Sequence, residues 1–385
     1  MLEHSYDVAV IGAGVFGSWT AWHLRRAGRS VLLMDAWGPG HSRASSGGET
    51  RLIRMGYGGD AIYTRMSMRS LAQWRDLFRQ TGQSLFHHTG VLSMARVDDP
   101  HSSATVRTLR EAGSPFEIVA GEELARRYPQ MRISDPRVYA ILEQESGVLM
   151  ARRAVDLVVE DAMRNGVIYA TAEVGGVAED GPGEVRTAAG ERIRAGTFVY
   201  ACGPWLPKIF PDLLGNRIYP TRQEIFFFGP PAGDRRFAPP ALPAWIDFTD
   251  PRGPYGVPDL EGRGFKLGLD RHGPPFDPDA GDRRISDEGV AEARRFLAER
   301  FPDLRYAPLT ESRVCQYENT SSGDFLIDRH PRFENVWLVG GGSGHGFKHG
   351  PAVGEHVSGR ILEAVPEEPR FSLAAKLESQ QRTVY

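Results

Sequence analysis

Two cysteines stand in a chain of 385 residues, Cys202 and Cys315. Cys315 lies in "ESRVCQYENT", two residues after Arg313 and two before Tyr317. The thiolate is the nucleophilic form of cysteine, and nearby positive charge lowers the thiol pKa. Read alone, either cysteine is a small buried hydrophobe. Cys202, in a strand-to-turn stretch, is expected to be a packed core thiol.

Lysine is nearly as scarce. Lys208, Lys266, Lys348 and Lys376 are four of the 46 basic residues, and the rest are arginine. A lysine that persists in such a chain offers a compact ammonium whose pKa burial can shift. Lys266 sits in "GRGFKLGLD", where alternation puts Phe265 and Leu267 on one face and Lys266 on the other. That pattern alone reads as an exposed strand lysine. Arg54 and Lys348 are candidates for gripping a carboxylate, one with a planar fork and the other with a point charge. A surface salt bridge is the alternative for each. In the strand-like run "TRLIR", Arg51 is expected to share the face of Arg54. Tyr255 and Tyr317 read as pocket aromatics or as core.

The third reactive feature is a backbone one. Residues 6–35 read "YDVAVIGAGVFGSWTAWHLRRAGRSVLLMD". A short apolar strand precedes Gly12, Gly14 and Gly17, spaced G-x-G-x-x-G. An amphipathic helix follows and ends at Gly28, and a second strand ends at Asp35. Gly12 makes the tight turn, Gly14 lets the backbone approach a pyrophosphate, and Gly17 lets helix and strand pack closely. The helix N-terminus offers free N–H groups and a positive dipole end to phosphates. Asp35 is placed to accept hydrogen bonds from the adenosine ribose. It argues against NADP, whose phosphate it would repel, but does not separate FAD from NAD.

The elements that must position these groups follow from periodicity and glycine. A helix is expected over 61–80, a strand over 89–95, a helix and loop over 103–130, and a helix over 151–166. Strands follow in "VIYATAEVGGV" and "AGTFVYACGPW". Residues 218–275, rich in Pro, Gly and aromatics, read as a separate β-rich region. A helix covers 287–301, and 334–362 reads as strand, glycine loop and helix. The fold class is α/β: a Rossmann-type dinucleotide domain interleaved with an antiparallel β-sheet substrate domain. The expected division is 1–85, 146–215 and 315–385 for the first, and 86–145 and 216–314 for the second.

Composition sets bounds. A formal net charge of -3 gives no reason to expect nucleic acid or a membrane surface as partner. No apolar run approaches the roughly 20 residues of a membrane-spanning helix. The first residues lack the basic stretch and cleavage site of a signal peptide. Two cysteines make no disulfide framework, so a cytoplasmic location is expected. No metal is expected.

"VIGAGVFG", "GETRLIR", "GFKLG", "VCQY", "DFLIDRHP" and "GSGHGFK" occur in this order. Together they resemble the monomeric sarcosine oxidase family, which includes N-methyltryptophan and pipecolate oxidases, within the D-amino-acid-oxidase-like fold. The resemblance runs from Tyr6 to about Leu362. It implies FAD, oxidation of a secondary amine such as an N-methyl amino acid, oxygen as oxidant, hydrogen peroxide as product, and a monomer. It implies that Cys315 is joined covalently to the flavin's 8-methyl carbon (an 8α-S-cysteinyl link). Lys266 is implied to promote the reaction with oxygen, and Arg51 to contact the flavin. Further flavin contacts are implied at Ser45, Val174, Gly203, Trp205, Gly344, Gly346 and Lys348. His345 belongs to the glycine-loop motif as a catalytic or a structural residue. One departure bears on substrate: the family's histidine four residues after the lysine of "KLG" is Asp270 here, favouring a cationic or hydroxylated substrate group. The "SSGG" stretch also lacks histidines seen in some members. Sarcosine itself is thereby in question, and pipecolate-like, fructosyl-amino-acid or biosynthetic amine oxidases stay open. So do a flavin dehydrogenase with another acceptor and a non-catalytic flavin protein.

Overall fold

Residues 5–176 and 183–379 are described by a computed structural model. The apolar run after Tyr6 forms the strand Ser5–Ile11, at the centre of a seven-stranded sheet. Val8 and Val10 point into one core, with Trp19 and Leu24, while Ala9 and Ile11 point into another. Both faces are covered, which is why the run is continuously hydrophobic. Parallel partners flank it: Val31–Asp35 on one side and Arg192–Tyr200 on the other. Ile168–Thr171 extends the sheet beyond the former, and Phe333–Gly340 beyond the latter. Leu326–His330 and Glu184–Arg186 add antiparallel edges. This is the expected dinucleotide architecture.

The second sheet has eight strands. Its order is Leu309–Thr320, Ile218–Phe228, Phe265–Leu269, Pro254–Val257, Ala244–Asp247, Val91–Arg96, Val138–Glu143 and Glu117–Val119. It is antiparallel except where Val91–Arg96 runs parallel to Ala244–Asp247. Its register decides what the sheet can do. Phe226 and Phe228 share a face with Phe265, Leu267 and Trp245, and that face packs on Phe296 and Leu297 of the helix Asp287–Arg300. The alternate positions must point the other way. Register pairs Lys266 with Phe227 and Val257, Tyr255 with Gly268, Tyr317 with Thr221, and Cys315 with Gln223. One sheet face is therefore core, and the other carries Cys315, Tyr317, Tyr255 and Lys266.

A third, small sheet joins Arg51–Ile53, Gly147–Leu149 and Phe86–His87. The helices expected over 61–80, 151–166 and 287–301 are Ala61–Thr81, Ala151–Arg164 and Asp287–Arg300. Residues 100–127 hold more than a helix and loop: Pro100–Glu111 and Gly121–Arg127 are helices around the short strand Glu117–Val119. The boundary expected at 314/315 falls inside the strand Leu309–Thr320, which pairs continuously with Ile218–Phe228. Cys315 thus belongs to the eight-stranded sheet. No helix among the described residues is long and apolar enough to cross a membrane.

Candidate active site

A large cavity runs between the two main sheets. Gly12 and Gly14, Asp35, Ser45, Arg51, Val174, Gly203, Trp205, Cys315, Gly344 and Gly346 all line it. The three motif glycines differ in why they are glycine. Gly12 has φ of +103°, and a Cβ there would meet Ala201 O at 2.4 Å. At Gly17 a Cβ would stand 1.9 Å from Gly12 O, so the helix Val15–Arg26 can approach the strand only without one. A Cβ at Gly14 would meet only Ser46 Oγ, at 3.5 Å. The turn is closed on its protein side and open toward the cavity. No side-chain hydrogen bond caps that helix from Gly14, although Val15 N donates to Ser46 Oγ at 3.1 Å. Asp35 accepts from Ala13 N at 2.8 Å and from Trp37 N at 2.9 Å, bracing the turn it lines. Open glycine backbone, a free helix N-terminus and a terminal acid fit a dinucleotide.

Cys315 is buried in a small apolar cluster with Ile225 and Phe227. Its Sγ lies 3.7 Å from Arg51 Nη2, and Arg51 also donates to Ser45 O at 2.7 Å. Arg313 anchors the loop beside it by donating to Gly47 O and Ser42 O. Cys202 also lines the cavity, donates to Ile11 O, and is held as a thiol by burial.

Lys266 is 2% exposed, so the reading of an exposed strand lysine fails. The alternation was right, but the face opposite Phe265 and Leu267 is also interior. Nζ donates to Thr50 O at 2.8 Å and to Thr50 Oγ1 at 3.1 Å, and lies 5.7 Å from the Tyr255 ring centre. Burial, reinforced by the charge of Arg51, pulls its pKa well below the ordinary lysine value. Lys266 does not itself line the cavity; Arg51 stands on the lining side.

Arg54 and Lys348 meet on Tyr57. The Arg54 guanidinium carbon is 4.7 Å from the ring centre, and Lys348 Nζ is 5.1 Å from it. Both side chains are buried. Lys348 Nζ donates to Tyr57 Oη at 2.6 Å and to His345 O at 3.0 Å. Tyr57 Oη also lies 2.8 Å from His349 Nε2 and 3.3 Å from His345 Nδ1. Burial, then the Lys348 charge, pushes His349 well below the usual histidine range, so it is neutral. His345 Nε2 faces Gly323 O at 2.9 Å, which fixes that nitrogen as a donor. The ring stacks on Phe325, and His345 is not among the residues lining the cavity.

Arg51 and Arg54 were expected to share a face and do not reach the same groups. The strand ends at Ile53, and a three-residue spacing on a period of two reverses direction. Asp270 lies behind the lining residue Tyr317, whose hydroxyl donates to Oδ1 at 2.5 Å. Burial and then the Asp270 charge push the Tyr317 phenol well above its ordinary pKa, keeping it a donor. Tyr255 is raised by burial and by Asp270 as well.

Sequence reasoning missed Tyr57, His349, Thr50, Ser46 and Glu318. Glu318 stood inside "ESRVCQYENT" and Thr50 inside "GETRLIR", while His349 directly follows "GSGHGFK". Tyr57 carried no signal, because its partners lie at the far end of the chain.

Fold and cavity together define a FAD dependent oxidoreductase. Residues 7–360 match the family of that description, and the chain belongs to it. The narrower resemblance read from the motifs also holds. The chain is 31% identical over 366 residues to the monomeric sarcosine oxidase of Arthrobacter sp. (strain TE1826), covering 93% of this chain and 92% of that protein. Among solved structures, L-proline dehydrogenase from P. horikoshii superposes with a TM-score of 0.84 at 21% identity, over 96% of this chain and 97% of that one. The deglycating fructosamine oxidase of Aspergillus fumigatus (Amadoriase II) gives 0.81 at 21%, over 98% and 92%. These two show the shared fold.

Proposed function

We propose that the chain is an oxidase of a secondary amine, an N-methyl or N-alkyl amino acid of the sarcosine class. The products are an imine, which hydrolyses to aldehyde and amine, and hydrogen peroxide. The observation that carries this reading is the convergence of two buried cations, Arg54 and Lys348, on one tyrosine ring. An amino-acid substrate must be held by its carboxylate so that the C–H bond to be broken faces the cofactor. Arg54 supplies the fork and Lys348 the second charge. Each lies close in sequence to a residue of the cavity wall, Arg51 and Phe347.

FAD, when bound, would supply the acceptor for a hydride equivalent from the carbon beside the nitrogen and the route for the electrons to oxygen. The chain's own residues do the rest. Gly12, Gly14 and the helix N-terminus hold the pyrophosphate, Asp35 the ribose, and Ser45, Val174, Gly203, Trp205, Gly344 and Gly346 the remaining wall. Cys315 Sγ is the atom assigned to a thioether with the flavin's 8-methyl carbon. Its supports are a place on the wall and the Arg51 guanidinium, whose Nη2 lies 3.7 Å from Sγ. Lys266 Nζ is assigned to the oxygen reaction, because oxygen reduction begins by creating negative charge in a poorly solvated pocket. Tyr255 flanks it. The enzyme acts as a monomer on a small amine and oxygen.

Asp270 supports a second reading with the same apparatus: a pipecolate-like, fructosyl-amino-acid or biosynthetic amine oxidase. A carboxylate beside Tyr317 suits a substrate with a hydroxyl or a cation better than a bare methyl group. A dehydrogenase using another acceptor is disfavoured by Lys266. One two-part experiment tests all of this. The purified yellow protein is denatured in acid to see whether colour stays in the pellet, and amines are screened for peroxide release. No peroxide from any N-alkyl amino acid, cyclic imino acid or glycated amino acid would sink the oxidase reading.

A further inference from the structure

Arg54 and Tyr57, the fork and the ring of the proposed carboxylate grip, stand on a connection. It runs between the strand Arg51–Ile53 and the helix Ala61–Thr81. Both side chains are nevertheless buried. The backbone amides of such a segment have no ladder to bond to, so something else must hold them.

Glu143 holds two of them. It ends the strand Val138–Glu143 of the eight-stranded sheet and is 1% exposed. Its Oε2 accepts from Met55 N at 2.6 Å, and its Oε1 accepts from Gly56 N at 3.1 Å. One oxygen thus takes the amide that follows Arg54, and the other takes the amide that precedes Tyr57. Ser146 Oγ donates to Oε2 at 2.8 Å, and Ser146 N to Glu143 O at 3.3 Å, so the carboxyl is itself braced. Gly56 permits the approach, since a Cβ there would stand 3.0 Å from Oε1 and 2.8 Å from Thr105 Cγ2.

Other contacts complete the clamp. Ile53 pairs with Gly147, so Arg54 is bracketed by two attachments to the turn 143–147. Tyr57 is bracketed by Glu143 through Gly56 and by Thr105 Oγ1, which accepts from Gly58 N at 2.9 Å. Thr64 Oγ1 donates to Met55 O at 2.8 Å. Of these contacts, those of Glu143 serve both residues. A carboxyl has acceptors at both ends, which an amide side chain lacks.

We propose that Glu143 is a positioning residue for substrate, fixing the backbone between Arg54 and Tyr57 so that guanidinium and ring are held in place for a carboxylate; this rests on the grip proposed above. A guanidinium makes two parallel bonds to a carboxylate only when its plane is set. Side chains that bind must have their own geometry locked by hydrogen bonds behind them. Met55, Gly56 and Ser146, the partners of Glu143, are not among the residues assigned to the cofactor.

The test compares Glu143→Gln with the native protein on an N-alkyl amino acid and on the corresponding amine without a carboxylate. Anaerobic bleaching of the flavin absorbance reads both, because it follows slow substrates. The apparent dissociation constant of the amino acid should rise about tenfold, and that of the amine should stay within about twofold. In an Arg54→Met background the same change should cost less than about twofold on the amino acid, because the group it positions is gone. Gly56→Ala crowds Oε1 from the loop side and leaves the carboxyl present. It should show the same selective loss, and it serves if the glutamine variant fails to fold. Equal losses on both substrates, no loss on either, or a loss that persists in full without Arg54 would overturn the inference, while the grip stands if Arg54→Met still discriminates between the substrates. If Arg54→Met affects both substrates alike, the grip and the inference fall together.

Discussion

The Lys348 ammonium donates to the hydroxyl of Tyr57 at 2.6 Å, while the Arg54 guanidinium carbon lies 4.7 Å from the centre of the same ring. Tyr57 Oη also stands 2.8 Å from Nε2 of the neutral His349. Two cations on one ring supply the two charges that the proposed carboxylate grip uses.

Removing either charge should therefore act on substrates that carry a carboxylate. Lys348→Met and Arg54→Met are each expected to lower kcat/KM for an N-alkyl amino acid by about 100-fold, the scale of a buried charge-assisted contact. The corresponding amine without a carboxylate should change little. Steady-state peroxide assays on the two substrates check this, and equal losses on both would count against the assignment.

Cys315→Ser should release yellow cofactor into the supernatant on acid precipitation, whereas the native protein should keep colour in the pellet. Arg51→Lys tests the local cation, since a lysine cannot reproduce the fork that bonds both Ser45 O and Thr50 O. It should slow covalent incorporation, read as the bound fraction against time. Colour that stays in the Cys315→Ser pellet would move the link elsewhere.

How legible was this site beforehand? The βαβ turn was readable because Gly17 is required by the nearby Gly12 O and Gly12 by its own positive φ, even though the atom that crowds Gly12, Ala201 O, is remote in sequence. Lys266 was legible as to face and not as to burial. Alternation states which side a residue takes, but the cover over that side comes from Thr50, which is remote in sequence. Tyr57 was illegible for the same reason: its partners His345, Lys348 and His349 are brought to it only by the packing of the whole chain. Arg51 and Arg54 stand an odd number of residues apart, so strand parity separates them, and the strand Arg51–Ile53 ends before Arg54.

Lys266→Met should separate the two halves of the reaction. Anaerobic flavin reduction is expected to stay within about threefold, since Lys266 bonds Thr50 and not the lining of the cavity. Reoxidation by oxygen should fall by about 100-fold or more, the scale of one removed electrostatic stabiliser. Stopped-flow absorbance reads both. Equal slowing of both halves would assign Lys266 a structural role.

Asp270→His should shift substrate choice and leave the cofactor in place. It replaces an acceptor for Tyr317 by a group that is neutral over much of the working range. The ratio of kcat/KM for an apolar N-methyl amino acid over one bearing a hydroxyl or ammonium is expected to rise about tenfold. An unchanged ratio would place Asp270 outside substrate recognition.

Glu318 makes a pH prediction whose sign can be worked out. Its ordinary pKa is 4.5, and burial raises it in the folded chain to about 7, against the pull of the Gly342 and Gly341 amides. Between these values the folded state binds more protons than the unfolded one, so stability falls as pH rises. The contribution is fully present below about pH 4.5 and is lost by the time pH passes about 7. Across that window it amounts to about 3 kcal/mol at most. Melting temperatures of the native protein and Glu318→Gln, measured from pH 4.5 to 8, should diverge accordingly: the native curve falls toward neutrality more steeply than that of the variant. Parallel curves would mean that Glu318 keeps an ordinary carboxyl pKa.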